Sequence, residues 1–464
     1  MNQLSKWALC LLAASTLTPG APAADGAELP NVIILVMDTV RWDSISLSGK
    51  ENNDTPALEA LADQGFVFTN TWSTHDSTVG SHFAVFTGLT NPRMEKNSGV
   101  NYNQANNSIA HHLKRLGYHT ICVSANGNLG PKGLKIFEPF DFFYNFFKER
   151  SSRLILKNEA YTKRVRGTLD RFNAPMTQFT STLIVADAGD VVEVVASALG
   201  ARPTGRPFFL FVNFMDAHDP YYPPSAFYNV NEEPLVYDFC SDLRMRPVPT
   251  FERLKKGIKD EDRLSELDKK YALVTRPWMI AADLRPSQMA LYRARYKASI
   301  RFLDNQIGAL HALLEDQGLY ENSIFFVLAD HGEAFGENDL LTHSLPPGYT
   351  PKEVTQRVPF ILVPEIKDVQ ERIEIHDTVC INAVTPTLHE VLGIRYDTAV
   401  AEQDPHTEYG SSLMDMATDD EQVRRHFRPR ETGLELMMRN DVCEDLEAPE
   451  AERIEALQTM GYIE

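Results

Sequence analysis

Short runs of uninterrupted apolar residues recur along this chain. Several of them are followed by aspartate and histidine side chains, which can bind metal ions or transfer protons. Residues 32–37, 208–213 and 324–328 are three such runs. A run of this length without alternation is typical of a strand that is buried on both faces. Helical patterns lie between the runs. The chain is therefore predicted to be an α/β protein with a mostly parallel central sheet covered by helices.

The helical patterns have recognisable starts and stops. The first has Asp54 or Thr55 as its cap, Pro56 in its first turn and Gly65 after its end. The remaining elements are predicted from the same signals. They are the strands 120–124 and 358–363 and the helices 57–62, 108–117, 287–317 and 384–392, the last closed by Gly393.

Five polar residues lie at or near the ends of the predicted strands. They are Asp38, Asp216, His218, Asp330 and His331. In an open α/β sheet the ligand site lies outside the carboxyl ends of the strands. We therefore expect these residues to meet at one active site, although an aspartate at a strand end is also a common turn residue.

Two carboxylates and one imidazole, from Asp38, Asp330 and His331, would suit a divalent metal ion such as calcium, manganese or zinc. Thr78 could complete the set, because a metal makes a bound hydroxyl more acidic. One ion is expected rather than two. The alternative is a second ion held by Asp216, His218 and His343.

Thr78 opens the segment Thr-Val-Gly-Ser-His, which Thr87 and Gly88 follow after four residues. This pattern predicts a short helix that begins at Thr78, next to a loop. A helix N-terminus stabilises an anion held beside it. Taken alone, a threonine in this place is also a common helix cap.

Composition and charge narrow the functional classes. The 464 residues carry a formal net charge of −19, which argues against a nucleic-acid partner. Residues 1–23 are typical of a cleavable signal peptide, and no later apolar stretch approaches the length of a membrane span. A periplasmic or secreted location is expected.

Without the signal, four cysteines remain that show no paired spacing, Cys122, Cys240, Cys380 and Cys443. A disulfide and free thiols both stay open.

Ordered motifs along nearly the whole mature chain resemble those of the sulfatase family in the alkaline phosphatase superfamily. Residues 31–43 resemble the opening strand with its metal aspartate, and the Thr78 segment follows at the expected distance. The other matching stretches are 55–58, 65–70, 214–221, 328–333 with His343, and 457–462.

The resemblance implies an alkaline phosphatase-like sandwich with a catalytic domain at 30–395 and a small C-terminal segment, 396–464, packing on it. It also implies that Thr78 is the nucleophile and a metal ligand beside Asp38, Asp330 and His331. His218 and His343 would contact the oxygens of a small anionic ester, for example part of a glycan or a lipid head group, and one of them would protonate the leaving alcohol. The oligomeric state stays open.

The chain departs from the family at the nucleophile. Members that cleave sulfate esters have a Cys/Ser-x-Pro-Ser-Arg motif whose first residue is oxidised to formylglycine, whereas Thr78, Gly80 and His82 stand in that motif here. Oxidation of a threonine would give a ketone, which hydrates poorly. Ser77 is the neighbouring alternative. Thr39 stands where many members have a second liganding aspartate, and no lysine follows Ser124 at the place of the family's active-site lysine.

These features favour a metal-dependent hydrolase of phosphate or phosphonate esters with a threonine nucleophile. The alternatives are a sulfuric ester hydrolase of the same fold, a transferase that passes a phospho group to an alcohol, and a catalytically degenerate member that only binds an anion.

Overall fold

The computed structural model describes fewer residues than the sequence contains. The described residues are 28–50, 53–90, 108–130, 135–146, 186–219, 221, 223–224, 226–228, 286–343, 351–396, 410–416, 423–428 and 435–436. The predicted signal peptide and most of the predicted C-terminal segment lie outside them. The domain division at 30–395 and 396–464 stays a prediction.

Eight strands form the central sheet, in the order β10-β2-β9-β6-β1-β5-β3-β4. Strand β9 is antiparallel to both neighbours, and the other pairs of neighbours are parallel. The predicted α/β class with a mostly parallel sheet is therefore confirmed. The strand bounds are Asn31–Met37 for β1, Phe66–Trp72 for β2, His119–Ser124 for β3, Phe142–Asn145 for β4, Phe208–Phe214 for β5, Ser323–Leu328 for β6, Phe360–Val363 for β9 and Ile373–Cys380 for β10.

Helices lie between the strands in sequence, as the patterns predict. They are α1 (Pro56–Ala62), α2 (Thr78–Thr87), α3 (Ile109–Arg115), α4 (Ala188–Ala201), α5 (Pro286–Asp316), α6 (Lys352–Thr355), α7 (Val384–Val391) and α8 (Leu413–Met416). The described residues also form two short two-stranded sheets, one of β7 (Ala334–Phe335) with β8 (Leu341–Thr342), the other of β11 (Arg395–Tyr396) with β12 (Glu435–Leu436). None of the described helices is long and apolar enough to cross a bilayer.

Strand β1 lies at the centre of the sheet, between β5 and β6. Its residues from Val32 to Met37 are at most 1% exposed, which explains the uninterrupted apolar run. The backbone N–H of Asp38 still donates to Phe214 O at 3.0 Å, so the ladder extends one residue past the strand. The carboxyl ends of β1, β5 and β6 therefore open at one edge of the sheet.

The prediction that Asp54 or Thr55 is the cap residue of α1 is confirmed, since Thr55 occupies the cap position. Thr55 makes no side-chain cap bond, however, and its Oγ1 accepts from the backbone N–H of Ser46 at 3.0 Å. The carboxylate of Asp304 in α5 accepts from Ala57 N at 3.0 Å and Leu58 N at 2.9 Å. Since a tertiary contact satisfies the first turn of α1, a local sequence rule could not identify the group that accepts these hydrogen bonds.

Cys122 and Cys380 are free thiols in the described part of the chain, and Cys122 is buried in β3 as its apolar run predicts. Cys240 and Cys443 lie outside the described residues.

Gly65 follows α1, and a substitution there tests how closely the backbone at this point approaches the sheet. A Cβ atom at Gly65 would lie 2.3 Å from the backbone oxygen of Leu362 in β9. We predict that Gly65→Ala lowers the free energy of unfolding by about 1–3 kcal/mol, because backbone atoms must move to accept the methyl group. Denaturant unfolding followed by circular dichroism measures this.

The matched control is Gly200→Ala in α4, where a Cβ atom meets nothing within 4 Å. There alanine should raise stability by about 0.5–1 kcal/mol, since glycine is the poorer helix former. Equal effects of the two substitutions would contradict the close approach at Gly65.

Candidate active site

The structure brings Asp38, Asp330 and His331 together at the carboxyl edge of β1 and β6. One ligand atom from each lies within 4.8 Å of the other two, and all three residues are at most 1% exposed. His331 Nε2 is 3.9 Å from Asp38 Oδ1 and 3.5 Å from Asp330 Oδ2. Because the two carboxylates follow neighbouring strands of the sheet, their meeting is a direct result of the sheet order.

Each carboxylate has one oxygen that is held by hydrogen bonds and one that has no partner. Asp38 Oδ2 accepts from Asn126 at 2.7 Å and from Asn213 at 3.3 Å, whereas Asp330 Oδ1 accepts from two backbone N–H groups. Asp38 Oδ1 and Asp330 Oδ2 are buried without a hydrogen-bond partner. A buried unpaired carboxylate oxygen is costly, and a bound cation would remove that cost.

The imidazole of His331 is in the form that binds metals. Its Nδ1–H donates to Gly332 O at 3.0 Å, which leaves the lone pair on Nε2, the atom that faces the two carboxylates. Burial, with a smaller effect of the neighbouring His343, lowers the pKa of His331 well below its ordinary value. The three side chains therefore fit a divalent ion, with two oxygens and one nitrogen as donors.

The backbone at Thr39 contributes to the same site. Thr39 has a φ of 62°, in the left-handed region that a β-branched residue rarely adopts. In this conformation its N–H donates to Asp330 Oδ1 at 3.2 Å, and its carbonyl accepts from the hydroxyl of Tyr296 at 2.8 Å. The strained turn after β1 thus ties one strand-end carboxylate to the next strand.

Thr78 is the first residue of α2, and Ser77 precedes it as the cap residue. The Thr78 Oγ1 atom is 3.4 Å from His331 Nε2 and 3.3 Å from Asn126 Nδ2. All ten residues of α2 are buried, so the helix is an interior element that presents its N-terminal hydroxyl to the carboxylates. Its role as nucleophile and ligand stays a prediction that this position supports.

Two residues that depart from the family motif, His82 and Gly80, contact other residues in α2 or just before it. The ring of His82 donates from Nδ1 to Thr78 O at 2.8 Å, and burial lowers the pKa of His82 to about 4, so the ring is neutral. A Cβ atom at Gly80 would lie 2.6 Å from the ring of His75, which occupies the space that a proline would need.

His218 and His343 also reach the site. Their ring centroids are 4.8 Å apart, and the ring of His343 is 4.3 Å from that of His331. Burial alone would lower the pKa of His218, but the carboxylate of Asp219, 2.8 Å from Nδ1, outweighs it and the pKa rises to about 10. His218 is therefore positively charged at neutral pH.

Asp216 does not share a ligand group with His218 and His343. Its Oδ1 accepts from Ala188 N at the start of α4, at 3.0 Å. Burial, and then the charge of Asp187, raise the pKa of Asp216 to about 8. Among the residues that the structure describes, the one group with metal-binding geometry is Asp38, Asp330 and His331.

The sequence alone did not identify Glu333 or Asn213 as members of the site. At Asn126 it indicated only that the family's lysine is absent. Glu333 is fully buried, and its Oε1 lies 3.1 Å from His343 Nδ1, so it orients that ring. Asn126 comes just after β3, and Asn213 lies near the end of β5. Both positions resemble those of the strand-end residues that the sequence did identify. Extending the strand-end rule from charged side chains to amides would have found both asparagines.

The sheet, with carboxylates, an imidazole and a helix-borne hydroxyl at its carboxyl edge, defines an α/β protein of the alkaline phosphatase type. The chain belongs to the sulfatase family, since the family model described as Sulfatase matches residues 30–394. The members to which it is similar are hydrolases. An arylsulfatase of Clostridium perfringens is 24% identical over 353 residues, which are 72% of this chain and 68% of the relative.

Solved structures agree with the fold. A protein in complex with its substrate D-glucosamine-2-N,6-O-disulfate has a TM-score of 0.56 and 16% identity, covering 85% of this chain and 81% of that one. The phosphonate monoester hydrolase of Agrobacterium radiobacter has a TM-score of 0.53 and 17% identity, covering 78% and 73%. At this identity the likeness concerns the fold alone.

The unpaired carboxylate oxygens generate a prediction that needs no substrate. Adding Mn²⁺ or Zn²⁺ to metal-stripped protein should raise the melting temperature, because an ion that binds only the folded state stabilises it by mass action. Asp330→Asn should abolish most of that rise. Differential scanning fluorimetry measures the rise, and elemental analysis measures the bound metal.

The charge-matched control is Asp54→Asn, at an exposed position away from the site. This variant should respond to the metal as the unsubstituted protein does. An equal rise in the Asp330→Asn protein would show that the ion binds elsewhere.

Proposed function

We propose that this protein is a metal-dependent hydrolase that cleaves phosphate or phosphonate esters through a covalent intermediate on Thr78. One observation carries the proposal: a plain threonine hydroxyl lies 3.4 Å from His331 Nε2, beside the Asp38, Asp330 and His331 group. Threonine cannot become formylglycine. An unmodified hydroxyl suits attack at phosphorus better than attack on a sulfate monoester.

The donor set supports a metal that accepts nitrogen. Two carboxylate oxygens, an imidazole nitrogen and the Thr78 hydroxyl suit zinc or manganese better than calcium, which prefers oxygen donors throughout. A bound divalent ion would make the Thr78 hydroxyl acidic enough to lose its proton to solvent and would offset charge on the ester group.

The reaction then has two balanced steps. In the first, the Thr78 oxygen forms a bond to phosphorus, the bond from phosphorus to the alcohol oxygen breaks, and the alcohol leaves with a proton from a histidine. In the second, a water oxygen attacks phosphorus, the histidine takes a proton from that water, the bond to Thr78 breaks, and the Thr78 oxygen regains a proton from solvent. The products are the alcohol and the free acid.

The two histidines suit different tasks. A pKa of about 10 keeps His218 protonated, so it is a poor proton donor near neutral pH and a good electrostatic partner for an ester oxygen. His343 is oriented by the buried carboxyl of Glu333, in the arrangement that fixes an imidazole for proton transfer. We therefore assign the proton transfer to His343.

The sulfatase family and the arylsulfatase relative support a second candidate, hydrolysis of sulfuric esters at the same site. The phosphonate monoester hydrolase with a similar fold is a member of the superfamily that acts at phosphorus. A phospho-group transferase and an anion-binding member without turnover are the remaining candidates. The predicted signal peptide supports a periplasmic or secreted enzyme.

The nucleophile is tested with p-nitrophenyl phosphate, p-nitrophenyl phenylphosphonate and p-nitrophenyl sulfate. Thr78→Ala should abolish turnover of the preferred ester, whereas Thr78→Ser, which keeps a hydroxyl, should retain part of it. Intact-protein mass spectrometry of acid-quenched reactions should show a phenylphosphonyl adduct on Thr78, whose mass no sulfuryl group matches.

Three outcomes would contradict the proposal. Turnover that survives in Thr78→Ala would exclude Thr78 as the nucleophile. Cleavage of the sulfate ester alone, dependent on Thr78, would select the sulfuric ester reading. Metal binding without turnover of any of the three esters would select the anion-binding reading.

A leaving-group series tests the division between the histidines. In kcat/KM, which reports the first step, His343→Ala should slow esters of poorly acidic alcohols by about 10²–10⁴-fold and p-nitrophenyl esters much less, because a good leaving group needs no proton. His218→Ala should slow all esters by a similar factor. Initial rates for aryl and alkyl esters measure both, and the reverse pattern would exchange the two roles.

A further inference from the structure

We infer that Asn126 is a catalytic residue that stabilises the Thr78 oxygen when this oxygen leaves phosphorus. The inference rests on the proposed function and adds a residue to it. Asn126 lies just after β3 and is 2% exposed. Its Nδ2 atom is 2.7 Å from Asp38 Oδ2 and 3.3 Å from Thr78 Oγ1. One amide thus joins a carboxylate of the metal group to the nucleophilic oxygen.

The orientation of this amide is fixed by its other atom. Asn126 Oδ1 accepts from the backbone N–H of Asn128 at 2.8 Å. A flipped amide would place two oxygens against each other at Asp38 and two N–H donors against each other at Asn128. Nδ2 is therefore the atom that faces the site, and both of its hydrogens are available for Asp38 and Thr78.

The loop around Asn126 holds the amide in place. The carbonyl of Asn126 accepts from Asn145 Nδ2 at 2.8 Å, and its N–H donates to Ser124 Oγ at 3.1 Å. Asn145 Nδ2 also donates to Leu129 O, so one side chain at the end of β4 binds the loop at two points. A donor that is held before reaction loses little entropy when charge develops beside it.

The chemistry assigns this donor to the second step of the reaction. In the covalent intermediate the Thr78 oxygen is an ester oxygen and a weak acceptor. When water displaces it, the oxygen gains negative charge and the hydrogen bond from Asn126 strengthens. An interaction that is stronger in the transition state than in the ground state accelerates the step. During attack the same oxygen loses charge, so Asn126 helps that step less.

The neutral amide also has a structural consequence for Asp38. Asn126 and Asn213 both donate to Asp38 Oδ2, so Oδ1 stays directed toward His331 and Asp330. An amide performs this task without adding a charge and without titrating.

The experiment compares Asn126→Asp and Asn126→Ala with the unsubstituted protein on p-nitrophenyl phenylphosphonate. Asn126→Asp keeps the oxygen that accepts from Asn128 and removes the donor, but it also sets a charged oxygen against Asp38 Oδ2, whereas Asn126→Ala removes the donor without adding a charge. In both variants kcat should fall by about 10²–10³-fold. KM should fall with it, so that kcat/KM changes by less than about tenfold, because breakdown of the intermediate is the slowed step. The phenylphosphonyl adduct on Thr78 should accumulate in steady state.

Two control variants separate this role from a structural one. Asn145→Ser loosens the same loop but leaves the Asn126 amide in the chain, so kcat should fall much less than in Asn126→Ala; an equally large fall without adduct accumulation would identify loop order as the cause. Asn305→Asp, on the exposed side of α5, adds the same charge outside the site and should leave turnover unchanged. Melting temperatures measured in parallel identify any variant that has not folded.

The possible failures are distinguishable. If the unsubstituted protein forms the Thr78 adduct but neither Asn126 variant accumulates it, or if kcat/KM falls as far as kcat, the inference about Asn126 is wrong and the proposed function stands. If the unsubstituted protein turns over esters with no adduct on Thr78, the proposed function fails and the inference about Asn126 fails with it.

Discussion

The repulsion between two buried carboxylates is the constraint around which this structure is arranged. Asp38 and Asp330 follow adjacent strands, are excluded from water and each direct one unpaired oxygen at the same point. Burial, and then the charge of Asp38, raise the pKa of the Asp330 carboxyl well above its usual range. Such a pair is unfavourable unless one carboxyl group is protonated or a cation lies between them. The asparagines, the strained Thr39 and the neutral His331 all hold this pair in place.

The elements that the sequence predicts best are those whose physical cause is local. Uninterrupted apolar runs identify β1, β5 and β6 because these strands are buried on both faces, and their order in the sheet then brings Asp38, Asp330 and His331 together. The helix at Thr78 begins as predicted. Strand β9 begins at Phe360, two residues later than the predicted strand 358–363, so Val358 and Pro359 lie before the paired residues.

The features that the sequence could not predict depend on distant partners. Asp304 caps a helix that lies far away in sequence, and no local pattern connects the two. Glu333 is separated from His343 by ten residues and becomes a partner only because the chain returns through β7 and β8. The task of Asn126 is likewise visible only when Asp38 and Thr78 stand beside it. Motif comparison identified the family from the ordered set, but at Asn126 it noted only that the family's lysine is absent.

The central position of β1 has a consequence for how the protein reaches its folded state. Strand β1 comes first among the described strands, yet its partners begin at residues 208 and 323. Pairings of such sequence separation form slowly, because a long loop must close before any contact stabilises it. A nascent chain that stops before β6 has neither Asp330 nor one of the two neighbours of β1. The apolar central strand would then have one unpaired edge, which makes the incomplete chain prone to aggregation until β6 has been synthesised.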